Sequence, residues 1–501
     1  MADAPDWPKL AENLQIETDA WINGAHQASQ SAHSFDVVNP ATETVTATLP
    51  CSDAPDVNAA VDAARRAFDT GPWGSSGPGM RKQLLLRFAD AIVNNATRLA
   101  LCDCLDMGKP ISSAQQEAHI AAAFVRYYAE AVDKIHTTQA PPAGPGAMEL
   151  QVRRPRGVVA AIIPWNFPVI NAALKIAPSL AAGNTAVVKA SEIAPRSSLV
   201  LGELAAEAEL PPGVLNVLSG DGTTGDLLAR HGGVDMIAFT GSTRTGKALM
   251  RAVGESSLKP LLLECGGKSP EIILPDMAGA DLQQMAQAIV RDAFWNQGQV
   301  CVARSRLLIH ESLYDEVLQG ILAAAQAIQA GDPLDPGTAF GPLASGRQRA
   351  TVEEYIEAGI SEGADLVLDG RNIRTPGHYV GTTVFANVQT QNRIAQEEIF
   401  GPVLSVFRYS NIDDAVALAN DSAYGLAATV WTRDLALAHE LAGRIRAGNV
   451  KIAASPAPVE GVGLSHSGEP CGQSGFGVEG GIRGLESYMR LQSIDFAMGR
   501  G

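Results

Sequence analysis

Cysteine, positive charge and unbroken apolar sequence are all scarce in this chain of 501 residues, and each shortage excludes something. Only six cysteines occur, at positions 51, 102, 104, 265, 301 and 471, with no evident pairing scheme. That argues against a disulfide framework and for a reducing compartment. Lys and Arg number 38 against 54 Asp and Glu, giving a formal net charge of −16 and a pI of about 5.0. Such a chain has no basic surface to displace counterions from nucleic acid or to meet an anionic membrane, so any phosphate it binds must meet backbone amides. The nine histidines form no spaced cluster, and Cys102 and Cys104 lack a second Cys or His pair at ligand spacing. No metal site is expected, and the two thiols read as packing. The N-terminus MADAPDWPKL has neither a basic start nor an apolar run, which predicts no secretory signal and a cytoplasmic protein. The most apolar stretch, Gly157 to Gly183, is broken by Pro164, Asn166, Pro168, Asn171 and Lys175, so it reads as interior rather than membrane-spanning. Internal repeats and low-complexity segments are also missing.

What remains is a composition that is 46% hydrophobic and 18% charged, which suits a soluble globular protein of two or more domains. From Gly157 onward, β-branched runs such as GVVAAII, TAVVK, VLNVLS, DMIAF and PLLLE alternate with helical stretches. This is the pattern of βαβ units building a doubly wound parallel sheet. A second alternation follows, with EIIL, a helix from about Asp281 to Asn296, SRLLIH, a helix from about Leu313 to Ala330, VLSVF and LAATVW. It predicts a second α/β domain. TTQAPPAGPGAMELQVRR, near 137 to 154, reads as an arm or linker.

Several places carry chemistry-bearing residues. In FWNQGQVCVARSR, Cys301 follows Gly298 and three amides, Asn296, Gln297 and Gln299, which are poor core residues. A free cysteine usually packs as a small hydrophobe, but these neighbours predict a close polar approach instead. GDGTTG at Gly220 to Gly225 and GSTRTG at Gly241 to Gly246 each end a strand and open a helix, where free N–H groups favour an anion. Ordinary turn glycines are the other reading. Lys189 and Glu192 in KASE stand at a strand's C-terminal edge, where a carboxylate would hold ribose hydroxyls and repel a 2′-phosphate. A solvated charge pair is the alternative. In PWNFP two prolines fix the chain around Asn166, whose amide donates hydrogen bonds without ionising and suits a developing oxyanion. Glu264 ends an apolar strand and precedes two glycines, and partial burial there would raise its pKa toward neutrality, as a general base needs.

Taken together, PWNFP, FTGSTRTGK, LECGGKS, FWNQGQVCVARSR and EEIFGPV resemble the aldehyde dehydrogenase superfamily, in order and over nearly the whole chain. AGNTAVVKASE, GDPLDP and NDSAYGLAATVWTRD fit as well. The resemblance implies an α/β architecture. A Rossmann-like NAD-binding domain would cover 1–134 and 156–262, a catalytic domain 263–480, and an oligomerisation segment 135–155 and 481–501. It implies a homodimer or homotetramer acting on a small-molecule aldehyde. Cys301 would be the nucleophile and Glu264 the general base, with Asn166 and the Cys301 N–H as oxyanion donors. For NAD it implies Lys189 and Glu192 at the adenosine ribose, Gly222 near the adenine, Gly241 and Ser242 at the pyrophosphate turn, Trp165 lining the same cleft, and Glu398 and Phe400 at the nicotinamide ribose and ring. It places Phe167, Asn171, Leu174, Trp295 and Glu460 along the aldehyde tunnel.

The sequence also departs from the superfamily pattern. Ala190 stands where proline is usual, Cys265 replaces a leucine after Glu264, and Ala453 stands where asparagine is usual. SGEPCGQSG replaces a glycine-rich stretch containing an aromatic and a lysine. FTGSTRTGK and WTRDLALAH look most like the branch that oxidises amine-derived aldehydes, including γ-glutamylaminobutyraldehyde and guanidinobutyraldehyde. Relatives that pass the acyl group to coenzyme A or phosphate generally lack the base matching Glu264, so hydrolysis is expected. The intact trio of Cys301, Glu264 and Asn166 argues against a catalytically silent relative.

Overall fold

A computed structural model describes residues 5–142, 144, 147–373, 376–456, 463–464 and 467–497. Two large sheets organise the chain. The first has eight strands in the order Ala25–Gln27, Ala20–Ile22, Leu215–Ser219, Thr185–Ala190, Val158–Ile162, Met236–Thr240, Leu261–Glu264 and Gly475–Phe476. Its inner five strands are parallel. These strands are buried on both faces, which is why the sequence shows continuous apolar runs rather than alternation. Val159, Ala161, Val188 and Val217 pack to one side with Ile176, Leu180 and Leu199. Val158, Ala160, Ile162 and Val187 pack to the other with Val57, Leu228, Leu249 and Val253. The period of two along each strand assigns each residue to its core. From Val158–Ile162 the chain winds outward one way through Thr185–Ala190 and Leu215–Ser219, then resumes on the opposite side at Met236–Thr240. That reversal is a switch point, and its crevice opens at the strands' C-terminal ends, at Pro164–Phe167 and Thr240–Ser242.

The second sheet has seven strands, ordered Asp365–Leu368, Thr383–Ala386, Val403–Tyr409, Arg306–His310, Pro270–Ile273, Ala427–Trp431 and Asn449–Ala453. Only the first pair is antiparallel. The segments entering three of its strands, Gly266–Lys268, Cys301–Ser305 and Glu398–Phe400, gather at one edge. A third, three-stranded antiparallel sheet places Ala147–Pro155 between Met489–Ala497 and Thr138–Ala140. Among the described residues no helix is long and apolar enough to cross a membrane.

Two local expectations are corrected. The helix expected to reach Asn296 ends at Phe294, because Asn296, Gln297 and Gly298 adopt left-handed φ values of 49°, 59° and 69°. The run directly after Cys301, which from sequence reads as a strand, is not extended at once, since the strand begins only at Arg306.

Candidate active site

The switch-point crevice is a cleft of about 230 Å³ bounded by Pro164–Phe167, Asn171, Thr240–Ser242, Cys265, Gly266, Cys301, Gln348, Glu398 and Phe400. Nine of the residues singled out in the sequence therefore meet in one cavity: Trp165, Asn166, Phe167, Asn171, Gly241, Ser242, Cys301, Glu398 and Phe400. They arrive from separate elements. Cys301 comes on the turn forced by the left-handed residues 296–298, where a side chain on Gly298 would run into the Gly401 carbonyl. Such backbone strain persists only where the surroundings over-determine it, and it concentrates at functional sites. Phe400 has φ 57° and sets its ring edge-on to Trp165, with centroids 5.4 Å apart. Gln348 holds that bend by donating to the carbonyls of Ile399 and Phe400 at 3.1 and 2.8 Å.

Asn166 is only 4% exposed, and its Nδ2 donates to Gln299 O at 2.9 Å. An amide carries two N–H donors, so the second remains for a ligand oxygen. Burial, then the carboxyls of Glu398 and Glu264, push the Cys301 thiol up to about 12. The resting sulfur is thus protonated and needs a base on attack. Glu264 does not line the cleft but lies just behind it, pairing in register with Thr240. Burial raises its carboxyl well above the ordinary range, the nearby charges of Glu479 and Glu469 add to the rise, and Lys175 opposes it. Glu398 accepts the Gly267 N–H at 3.0 Å, and burial raises it to about 7 against that bond and the Lys268 charge. A methyl on Gly267 would sit 2.5 Å from the Cys301 carbonyl oxygen, so glycine is what allows these segments to touch.

The remaining predicted residues flank the cleft. Lys189 is 5% exposed, at the end of Thr185–Ala190, with Nζ 3.4 Å from Glu192 Oε2. Burial pulls the Lys189 ammonium below its ordinary value against the pull of Glu192. Ser242 caps the helix Thr243–Ser256 by accepting from Thr245 N at 3.2 Å. Gly222 opens the helix Gly222–Arg230, and a Cβ there would meet open space. Trp295 is 46% exposed and leans on Phe167 at 5.0 Å between centroids. Leu174 is half-buried on the helix Pro168–Ala182. Glu460 lies outside the described residues.

The sequence reading passed over several residues here. Lys175, fully buried, donates from Nζ to Thr240 Oγ1 and to Glu479 Oε1, each at 2.6 Å. This chain of polar groups runs beside Glu264. A lysine inside the apolar run at 157–183 was the available signal, since a buried ammonium needs partners. Glu479 gave none, standing 304 residues away.

Comparison with known proteins gives the family and the fold. The aldehyde dehydrogenase family profile matches residues 26–494. The NADP/NAD-dependent aldehyde dehydrogenase PuuC of Escherichia coli is 42% identical over 493 residues, 97% of either chain. The crystal structure of γ-glutamyl-γ-aminobutyraldehyde dehydrogenase from Burkholderia cenocepacia superposes with a TM-score of 0.95 at 43% identity, covering 99% of both chains. That of an indole-3-acetaldehyde dehydrogenase complexed with NAD+ gives 0.94 at 42% identity and 98% of both chains. With this match along nearly its entire length and a thiol, an amide and a buried carboxyl converging on one crevice, the chain belongs to the aldehyde dehydrogenase family.

Proposed function

We propose that the protein oxidises an aldehyde to its carboxylic acid with NAD, by way of a thiohemiacetal and then a thioester on Cys301. The convergence of Cys301 and Asn166 with Gly241, Ser242, Glu398 and Phe400 in one switch-point cleft carries this reading. The residues fit the dinucleotide. Glu192 and Lys189 offer a carboxylate and an ammonium for ribose hydroxyls, and Ser242 stands where a helix opens toward the cleft. Glu398 faces the same cavity as the thiol. NAD, when bound, supplies the acceptor for the hydride that leaves the aldehyde carbon.

The protein's own groups do the rest. Glu264 takes the Cys301 proton, and the thiolate adds to the aldehyde carbon. The oxygen that becomes anionic meets the free N–H of Asn166 and the Cys301 backbone N–H. Once the thioester has formed, Glu264 draws a proton from water, which attacks the acyl carbon, and the C–S bond breaks to restore the thiol. Raised pKa values serve this duty, because a carboxyl that binds its proton more tightly is the stronger base. Lys175, Thr240 and Glu479 give the proton a route away from Glu264.

For the substrate we favour an amine-derived aldehyde carrying an ω-amino, guanidino or γ-glutamylamino end, in line with the Burkholderia enzyme. The outer face of Trp295 offers a cation-attracting surface at the tunnel mouth. An aromatic aldehyde is the second reading, supported by the Phe167–Trp295 pair. An aldehyde panel read by NADH formation, with and without coenzyme A, tests the reaction and the substrate class together. NADH from aminoaldehydes without need of coenzyme A is expected, whereas silence across the panel would overturn the reading. We assign cofactor binding to 1–134 and 156–262, catalysis to 263–480, and subunit pairing in a cytoplasmic dimer or tetramer to 135–155 and 481–501.

A further inference from the structure

Lys109 is a lysine without solvent. Its side chain is 1% exposed and lies in the short link between the helices Ala96–Met107 and Ile111–Ala131. Nζ donates to the main-chain carbonyl of Asn166 at 2.7 Å and pairs with Glu117, itself 2% exposed. The same ammonium stands 3.8 Å from the centre of the Phe167 ring. An ammonium has three protons, and here a carbonyl, a carboxylate and an aromatic face account for all three directions. Burying such a pair costs desolvation that mutual attraction offsets only partly, so stability alone is a poor reason for its presence. Two of the three contacts converge on consecutive residues, one bearing the amide and the other the aromatic wall of the cleft. From the opposite side Asn296 Nδ2 reaches the same Asn166 carbonyl at 3.2 Å, and Asn166 Nδ2 donates to Gln299 O at 2.9 Å. Asn166 is thereby clamped between the Lys109 link and the loop that carries Cys301.

We propose that Lys109 is a positioning residue: by gripping the Asn166 carbonyl and lying against Phe167 it fixes the oxyanion donor and the substrate-side ring together, with Glu117 holding the ammonium in place. This rests on the reading of Asn166 as an oxyanion donor. Without Lys109 the Asn166 carbonyl keeps, among the described residues, the donor Asn296, and the Phe167 ring loses the group behind it. Neither change removes a group that touches substrate, so the effect is one of aim.

A double-mutant cycle on the full-length enzyme tests this, with melting temperature measured alongside. Lys109→Met alone would strand a buried carboxylate, so the paired variant Lys109→Met/Glu117→Gln is used, which keeps the volume and removes both charges. In the otherwise wild-type enzyme it should lower kcat about 10- to 100-fold, the scale of a small misplacement of a reacting group, and leave KM for NAD within about twofold. In an Asn166→Ala background the same pair should cost less than about threefold, because the amide it aims is gone. Equal losses in both backgrounds, or an unchanged kcat, would overturn the proposal. If the paired variant does not fold, Lys109→Arg carries the same cycle: its planar group cannot serve three directions, so its loss must also vanish with Asn166→Ala, and an equal loss again refutes. A wild-type enzyme inert toward all aldehydes would sink the proposed function instead, which keeps the two failures apart.

Discussion

Replacing Asn166 with alanine separates catalysis from folding by magnitude. The residue is 4% exposed, and among the described residues its side chain bonds the Gln299 carbonyl at 2.9 Å. Losing that bond should cost about 1 kcal/mol of stability, rising to about 2 if the carbonyl is left unpaired. Asn296 Nδ2 stands 3.4 Å from the same carbonyl and can take over. In a chain of this size that shifts the melting temperature by only a few degrees. Removing a preorganised oxyanion donor costs more, about 2.7–4 kcal/mol of barrier, or roughly a hundred- to a thousandfold in kcat. Stopped-flow NADH formation in a single turnover reads the barrier, and differential scanning calorimetry the stability. The expected result is a large fall in the acylation rate with a nearly native melting curve. A collapsed melting temperature with kcat within about threefold of wild type would show that Asn166 only holds the fold and refute its oxyanion role.

Further expectations follow from the same geometry. Glu479→Gln removes a like charge beside Glu264 and leaves Lys175 to face it, so the Glu264 carboxyl should ionise at lower pH. The rising limb of kcat against pH should then move to lower pH by on the order of one unit, and a move to higher pH would contradict the electrostatics. Glu192→Gln should narrow the preference for NAD over NADP by up to about fivefold, the scale of an exposed charge contact, while a wild-type kcat/KM that is higher with NADP would rule out the assignment. Gly298→Ala should destabilise by about 1–2 kcal/mol from its left-handed φ alone, with overlap on the Gly401 carbonyl adding to that. Gly443→Ala, where a Cβ meets open space in the helix Leu435–Arg444, is the control, and equal melting temperatures for the two would show that the turn at 296–298 is not constrained as described.

The inner strands were legible because they are buried on both faces, so runs such as Val158–Ile162 and Met236–Thr240 announce themselves as apolar segments between turns. Cys301 and Asn166 were legible because amides, glycine and prolines surround them where a core would put apolar residues. What escaped notice was set by distant partners. The two-residue strand Gly475–Phe476 exists only because Leu263 and Glu264 pair with it. The helix break after Phe294 depends on three left-handed residues, two of them non-glycine, whose conformation tertiary contacts enforce. Lys175 with Glu479, and Lys109 with Glu117 and Asn166, are buried charges whose meaning lies in what they touch. Local periodicity carries no record of such contacts.

The thioester on Cys301 is the central claim, and Glu264→Gln gives the most direct view of it. Glu264→Gln removes the base of both half-reactions, so the enzyme is mixed with aldehyde and NAD at alkaline pH, where hydroxide can ionise the thiol in its place. The variant should form NADH slowly, up to about one equivalent, and then stall with the acyl group in place. Acid quench, digestion and mass spectrometry should find the peptide containing Cys301 heavier by the mass of the aldehyde less two hydrogens. That adduct should be absent from Cys301→Ala. An unmodified Cys301 peptide after the stall, or the acyl group on Cys265 across the same cleft, would contradict the assignment.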